Sequence, residues 1–147
     1  MSERIEIPDG VEQTSVEGFV MASADAVWDL WTTADGLEQW WWPMFDDAHY
    51  EIDAREDGLY RFIASSGGVG VQGRILEVDE GKRLVLSWDW MGGYESGESR
   101  EDLVVVDLAE LGDGTHVRVT FTGPLDELDT MRDGWQDTMT RLEELLD

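Results

Sequence analysis

The sequence predicts an α+β fold: a curved antiparallel sheet of about six to seven strands wrapped around a long C-terminal helix, with two short helices after the first strand. Three observations carry that prediction. Leu128, Met131, Trp135, Met139, Leu142 and Leu146 recur at spacings of three or four residues, matching the 3.6-residue period of an α-helix with one apolar stripe. The middle of the chain alternates apolar and polar residues between turn signals, the period of half-buried strands. The first strand-like stretch is separated from the others by a helical pattern. A sheet and a helix that each bury one face can cover one another.

Residues 12–22 include the extended run from Ser15 to Val20, in which Val16 and Val20 frame the first strand. Ser23 is placed to cap a helix carrying Val27, Leu30 and Trp31 on one face, with Asp25 in its first turn. Thr32 or Thr33 can cap a second helix running through Leu37 to Trp40 and Trp41, stopped by Pro43. Strands are then expected over His49–Ala54, Leu59–Ser65, Val69–Val78, Arg83–Met91, Arg100–Leu108 and Thr115–Thr122. Their punctuation is Asp57-Gly58, Gly67-Gly68, Asp79 to Lys82, the Gly- and Ser-rich loop from Gly92 to Gly97, and Gly112-Asp113-Gly114. The last helix is expected from about Leu125 to Leu146, with Asp137 and Arg141 able to pair at i, i+4. Gly134 within it costs about 1 kcal/mol relative to Ala, which close packing beside Trp135 would offset.

Composition narrows the function. The 147 residues are 41% hydrophobic, enough for a core and consistent with one domain over residues 1–147, with 1–12 a loosely ordered segment. No apolar run reaches the roughly 18–20 residues of a membrane span, and no signal-peptide pattern opens the chain. Cysteine is absent, which excludes disulfides and thiol chemistry and fits a cytoplasmic location. The net charge is −24, from 34 acidic against 10 basic residues, and Lys82 is the only lysine. No basic patch exists for nucleic acid. An even acidic coat of this kind reads as adaptation to a saline cytoplasm, where screening removes self-repulsion.

Eight tryptophans stand out. Trp28, Trp31, Trp40, Trp41 and Trp42 cluster early, Trp88 and Trp90 flank Asp89, and Trp135 lies in the last helix. Each indole buries on the order of 200 Å², so the surplus serves either a wide core or a cavity with aromatic walls. His49, near Asp46 and Asp47, and the outward-facing His116 make no convincing metal or catalytic site, and no HExxH, phosphate loop or nucleophile elbow occurs. If Trp88 and Trp90 face inward, Asp89 and likewise Arg61 face solvent.

Several of these residues also carry a resemblance. Val27-Trp28, Thr32, Trp40-Trp41 and Pro43, Gly58 to Phe62, Gly73 to Val78, Arg83 to Trp90, Gly114-Thr115 and Gly134-Trp135 are similar, in order and spacing, to the START-like (SRPBCC) superfamily. Within it the chain resembles the group named for the activator of heat-shock-protein-90 ATPase homologue. The resemblance implies the helix-grip fold, with an apolar cavity between sheet and helix. Members often carry His where this chain has Met131 and Phe121, so two potential proton carriers are apolar here. Members that activate the chaperone also have an additional N-terminal domain, for which this chain leaves no room.

Binding of a small apolar or aromatic molecule is therefore the leading expectation, with no cofactor or metal, no membrane insertion, and a monomer or weak homodimer as the form. Trp40, Tyr60, Phe62, Trp88, Trp90, Phe121, Met131, Trp135 and Met139 are the expected cavity residues. Arg100 and Asp102 are the expected polar orienters, and the mouth is expected near Trp40 to Met44. An enzyme of the cyclase, dehydratase or hydrolase kind would instead need a buried acid–base pair, and a chaperone-partner role would rest on the resemblance alone.

Overall fold

Seven antiparallel strands form one sheet, in the computed structural model, in the order β1-β7-β6-β5-β4-β3-β2. The structure describes residues 11–91, 102–124 and 128–146. The strands are β1 (Val11–Val20), β2 (His49–Ile52), β3 (Leu59–Ala64), β4 (Val69–Asp79), β5 (Arg83–Met91), β6 (Asp102–Leu111) and β7 (Gly114–Pro124). Helices α1 (Ala24–Thr32) and α2 (Ala34–Glu38) follow β1, and α3 (Leu128–Leu145) ends the chain. Expectations about residues 1–10, the loop from Gly92, Arg100 and the start of the last helix at Leu125 lie outside the described residues. So do those about the side chains of Glu12, Asp89, Trp90 and Asp102.

The register explains how the first strand reaches the far edge. β1 pairs with β7 along its whole length, from Val11 opposite Pro124 to Val20 opposite Thr115. Val16 and Val20 therefore share the concave face with Val117, Val119 and Phe121 of β7, Val104 and Val106 of β6, and Leu84, Leu86 and Trp88 of β5, all buried. Helix α3 lies across this face, burying Trp135, Met139 and Leu142. Its approach to β1 is close. A Cβ added at Gly18 would sit 2.6 Å from Met139 Cγ, and Glu143 Oε2 accepts the Phe19 N–H at 3.1 Å. Leu128 and Met131, expected in the same stripe, are half-buried and pack against the edge of the core, and Met131 also borders an open cavity.

Both short helices start where their caps require. The Ser23 hydroxyl accepts the Ala26 N–H at 3.2 Å, and the Thr33 hydroxyl accepts that of Gly36 at 2.9 Å, each satisfying a first-turn donor. The expected continuation of the second helix to Trp40 and Trp41 is corrected: α2 stops at Glu38. The indole Nε1 of Trp40 donates to the Leu30 carbonyl at 2.9 Å. Arg141 takes the carbonyls of Trp40 and Trp41. The Trp41 N–H still reaches the Leu37 carbonyl at 2.9 Å, but the next N–H, that of Trp42, goes to Tyr50 Oη at 3.0 Å instead of continuing the helical ladder.

The expected hairpin turn at Asp57-Gly58 is a longer connection, residues 53–58, with Asp57 itself in the left-handed region at φ 67. Between β4 and β5 the pairing shifts at Ile75/Glu77, a bulge that bends the sheet. Gly73 lies just before it, and a Cβ there would fall 2.1 Å from the Ser87 carbonyl oxygen. That oxygen accepts the buried Tyr60 hydroxyl, while Ser87 Oγ accepts the Arg74 N–H at 2.8 Å. Replacing Gly73 with Ala should force the two strands apart and lower stability by about 1–3 kcal/mol, read as a drop in the denaturant midpoint. An unchanged midpoint would show that the strands do not need so close an approach.

On the convex face, Glu17, His116 and Arg118 meet across β1 and β7. His116 Nε2 lies 3.1 Å and Arg118 Nη2 2.9 Å from Glu17 Oε1. The hydrogen bond and charge of Arg118, with a smaller contribution from His116, hold the Glu17 carboxyl below its ordinary pKa. Arg61 is also exposed. Among the described residues, no helix is long and apolar enough to cross a membrane.

Candidate functional site

A cavity of about 540 Å³ opens between the N-terminal half of α3 and the segment that follows α2. One wall is the helix face carrying Met131, Gly134, Trp135, Thr138 and Arg141. The opposite side is formed by Trp41, Trp42, Met44 and Phe45, and the floor by Trp88 of β5. Gly67 and Val69 close the rim, where the 3₁₀ turn Ser65–Gly67 leads into β4.

The floor and inner wall are an aromatic stack. Trp135 lies with ring centroids 5.2 Å from Trp88, 5.6 Å from Trp41 and 6.0 Å from Phe121. Trp41 also meets Trp40 at 5.2 Å and Phe62 at 5.5 Å, both edge to face. Such offset and edge-on pairs add about 0.5–1.5 kcal/mol each beyond area burial. The Nε1 atoms of Trp31 and Trp41 are buried without a hydrogen-bond partner among the described residues. Trp31 meets the rings of Trp40 and Trp41 edge-on at 4.9 and 5.7 Å, a setting in which an indole edge gains from a neighbouring π face.

The rim is tied down by polar contacts. Asp47 accepts the Ser66 N–H at 2.9 Å and its hydroxyl at 2.6 Å, and these bonds hold the Asp47 carboxyl below its ordinary pKa. The Phe45 ring covers Gly67 so closely that a Cβ there would lie 2.4 Å from Cζ. Across the mouth, Tyr50 Oη accepts the Trp42 N–H at 3.0 Å, and burial pushes the Tyr50 phenol up.

The Arg141 guanidinium is the cation of this site. Nε donates to the Trp40 carbonyl at 3.1 Å, and Nη2 to the Trp41 carbonyl at 2.8 Å and to Thr138 Oγ1 at 3.2 Å. Its hydrogen bonds thus go to two carbonyls and a hydroxyl rather than to Asp137, the expected partner, which lines the same cavity. Burial pulls the Arg141 pKa below its ordinary value, partly opposed by the charge of Asp137.

The expected ligand residues divide by position. Trp88, Met131 and Trp135 border the cavity. Trp40, Tyr60, Phe62, Phe121 and Met139 are packed into the core behind it, each at most 2% exposed, because the Trp41 and Trp135 rings stand between them and the opening. Trp90, Arg100 and Asp102 cannot be placed, since their side chains lie outside the described residues. The expectation that Gly134 packs tightly beside Trp135 is corrected. A Cβ at Gly134 would meet nothing within 4 Å, because the position faces the cavity. Sequence reasoning missed Gly134, Thr138 and Arg141 as a set. Their spacing of four and three residues places them on one helical face, beside the apolar stripe.

His49 is exposed, 4.0 Å from Glu51, and among the described residues no three His, Asp or Glu side chains gather as a metal site would require.

A family model described as Activator of Hsp90 ATPase homolog 1-like protein matches residues 21–147. Protein MLL2253 from Mesorhizobium loti superposes with a TM-score of 0.75 at 20% identity, covering 92% of this chain and 97% of that one. The AHSA1-like protein from Aeromonas hydrophila gives 0.70 at 22% identity, covering 91% of each chain. DynU16, from the dynemicin biosynthetic locus, gives 0.73 at 22% identity over 95% of this chain but 48% of its own. At these identities the likeness is one of fold. No curated protein matches the chain.

Proposed function

The chain belongs to the Activator of Hsp90 ATPase homolog 1-like family and has its helix-grip fold, and from that premise we propose that it binds a small apolar or aromatic molecule between α3 and the sheet. The observation that carries this reading is the 540 Å³ cavity walled by Trp41, Trp88 and Trp135, within the range of small-molecule sites. Indoles and thioethers give polarizable contact but carry no proton inventory. Met131, half-buried at the mouth, is apolar as well. Among the described residues, Asp137 and Arg141 are the ionisable side chains bordering the cavity. Arg141 is engaged with backbone carbonyls, so it is poorly placed to exchange a proton. A fold neighbour from a biosynthetic locus fits a role in handling small molecules. The acidic coat further supports a saline, cytoplasmic setting, and hence assays in molar salt.

Native mass spectrometry of protein purified in molar KCl is expected to show a retained small molecule. Adding that compound back to stripped protein should quench Trp fluorescence and raise the Tm as its concentration exceeds Kd. Turnover of the compound, lost on changing Asp137 to Asn, would replace binding by the enzyme reading. Failure of any apolar compound to bind would remove both.

A further inference from the structure

We propose that the cavity selects a flat, uncharged ligand bearing one oxygen acceptor, its rings lying over Gly134 and its oxygen meeting Arg141 Nη1. The inference rests on the ligand-binding reading and adds the ligand's chemical class and orientation.

Gly134 supplies the first part. A glycine in mid-helix destabilises by about 1 kcal/mol relative to Ala, and no close approach requires one here, since its missing side chain opens onto empty space. That space is part of the cavity. The bare backbone lets a ring lie flat on the helix next to the Trp135 indole, where any side chain would hold it away. Space for the ligand accounts for the glycine, whereas helix packing does not.

Arg141 supplies the second. Of its five N–H donors, that on Nε and both on Nη2 face the Trp40 and Trp41 carbonyls and Thr138 Oγ1. Nη1 is in none of these bonds, and the Arg141 side chain borders the cavity, so Nη1 is the nitrogen left for a ligand. A carboxylate binds arginine best through two nitrogens at once, and here only one is left. A single oxygen suits it. The net charge of −24 and Asp137 at the same mouth disfavour an anion further. A ketone, ester or amide oxygen remains. Arg141 Nη2 reaches back to Thr138 Oγ1, the turn between Arg141 and Gly134, so the ligand oxygen and its rings would lie along the same helix face.

Three naphthalenes that share a ring body test this in 2 M KCl. In 2-acetylnaphthalene the oxygen is present and neutral, in 2-isopropenylnaphthalene a methylene replaces it, and 2-naphthoate is anionic. Fluorescence titration should find the ketone bound roughly 10-fold or more tightly than the alkene, the range of a hydrogen bond to a charged donor. The naphthoate should bind no better than the ketone. Arg141→Met should bring the ketone-to-alkene ratio near one. Should that variant fail to fold, the wild-type ratio alone decides. Gly134→Leu, which supplies a better helix former, should fold and lose both neutral probes. Equal binding of ketone and alkene, tighter binding of naphthoate, or full binding to the Gly134→Leu protein would each overturn the inference while leaving a ligand cavity in place. If none of the three binds the wild type, the ligand-binding reading itself fails.

Discussion

Trp135→Ala is expected to destabilise the protein by about 3–5 kcal/mol, the range for emptying a buried Trp site. The ring is 6% exposed and lies against Trp31, Trp41, Trp88 and Phe121, with centroids 5.2–6.4 Å away. Its removal takes away lateral support from rings on α1, on the segment after α2, on β5 and on β7. Domains of this size have about 5–15 kcal/mol in total, so the variant should sit near its unfolding threshold in dilute buffer. Equilibrium denaturation followed by far-UV circular dichroism reads the loss. Trp135→Phe, which keeps an aromatic ring and most of the volume, should recover most of it. A loss under 1 kcal/mol for the alanine variant would mean that the helix does not close the core as described.

The second large effect is salt. Two like charges about 10 Å apart repel by about 0.4 kcal/mol in water. A surplus of 24 negative charges sums many such pairs. At 0.1 M salt the screening length is about 10 Å and most neighbours still repel, whereas at 1 M it is about 3 Å. The Tm should therefore rise by on the order of 10 °C from dilute buffer to molar KCl, equivalent to roughly 3 kcal/mol for this length. High salt also strengthens apolar burial, so the decisive comparison is a variant with Glu56, Asp113, Asp133 and Glu144 changed to Gln or Asn. These are exposed and hold no structural hydrogen bond among those described. The variant should be more stable at low salt and respond less steeply. Parallel curves for the two proteins would remove electrostatic relief as the cause.

Much of the fold was legible because local and global signals agree. Ser23 was identifiable as a cap from residue type and position, and the second cap was narrowed to Thr32 or Thr33; Ser23 and Thr33 serve. The alternation of Val104 and Val106, or of Leu84, Leu86 and Trp88, gave the concave face, since a strand has only two faces to choose between. Boundaries set by distant partners were not legible. At the end of α2 the Trp42 N–H leaves the helical ladder for Tyr50 Oη on β2, and Arg141, a hundred residues away, takes the Trp40 and Trp41 carbonyls beyond it; no local pattern encodes either contact. The same limit applied to the cavity. Hydrophobicity distinguishes apolar from polar residues but not packed from solvent-lined ones, so Tyr60 and Phe62 looked like wall residues as much as Trp88 did. Gly134 was noticed for its helix penalty, but a penalty cannot say whether the missing side chain makes room for a neighbour or for a guest.

The spacing of the indoles also has an optical consequence. Trp31, Trp40, Trp41, Trp88 and Trp135 form a chain of rings, each within about 6 Å of the next. At that separation excitation hops between identical chromophores much faster than it is emitted, and the transition dipoles couple. The cluster should emit as one unit, with depolarised fluorescence even in a rigid glass and a split near-ultraviolet dichroism band. A molecule touching only the outermost ring would then darken the entire set.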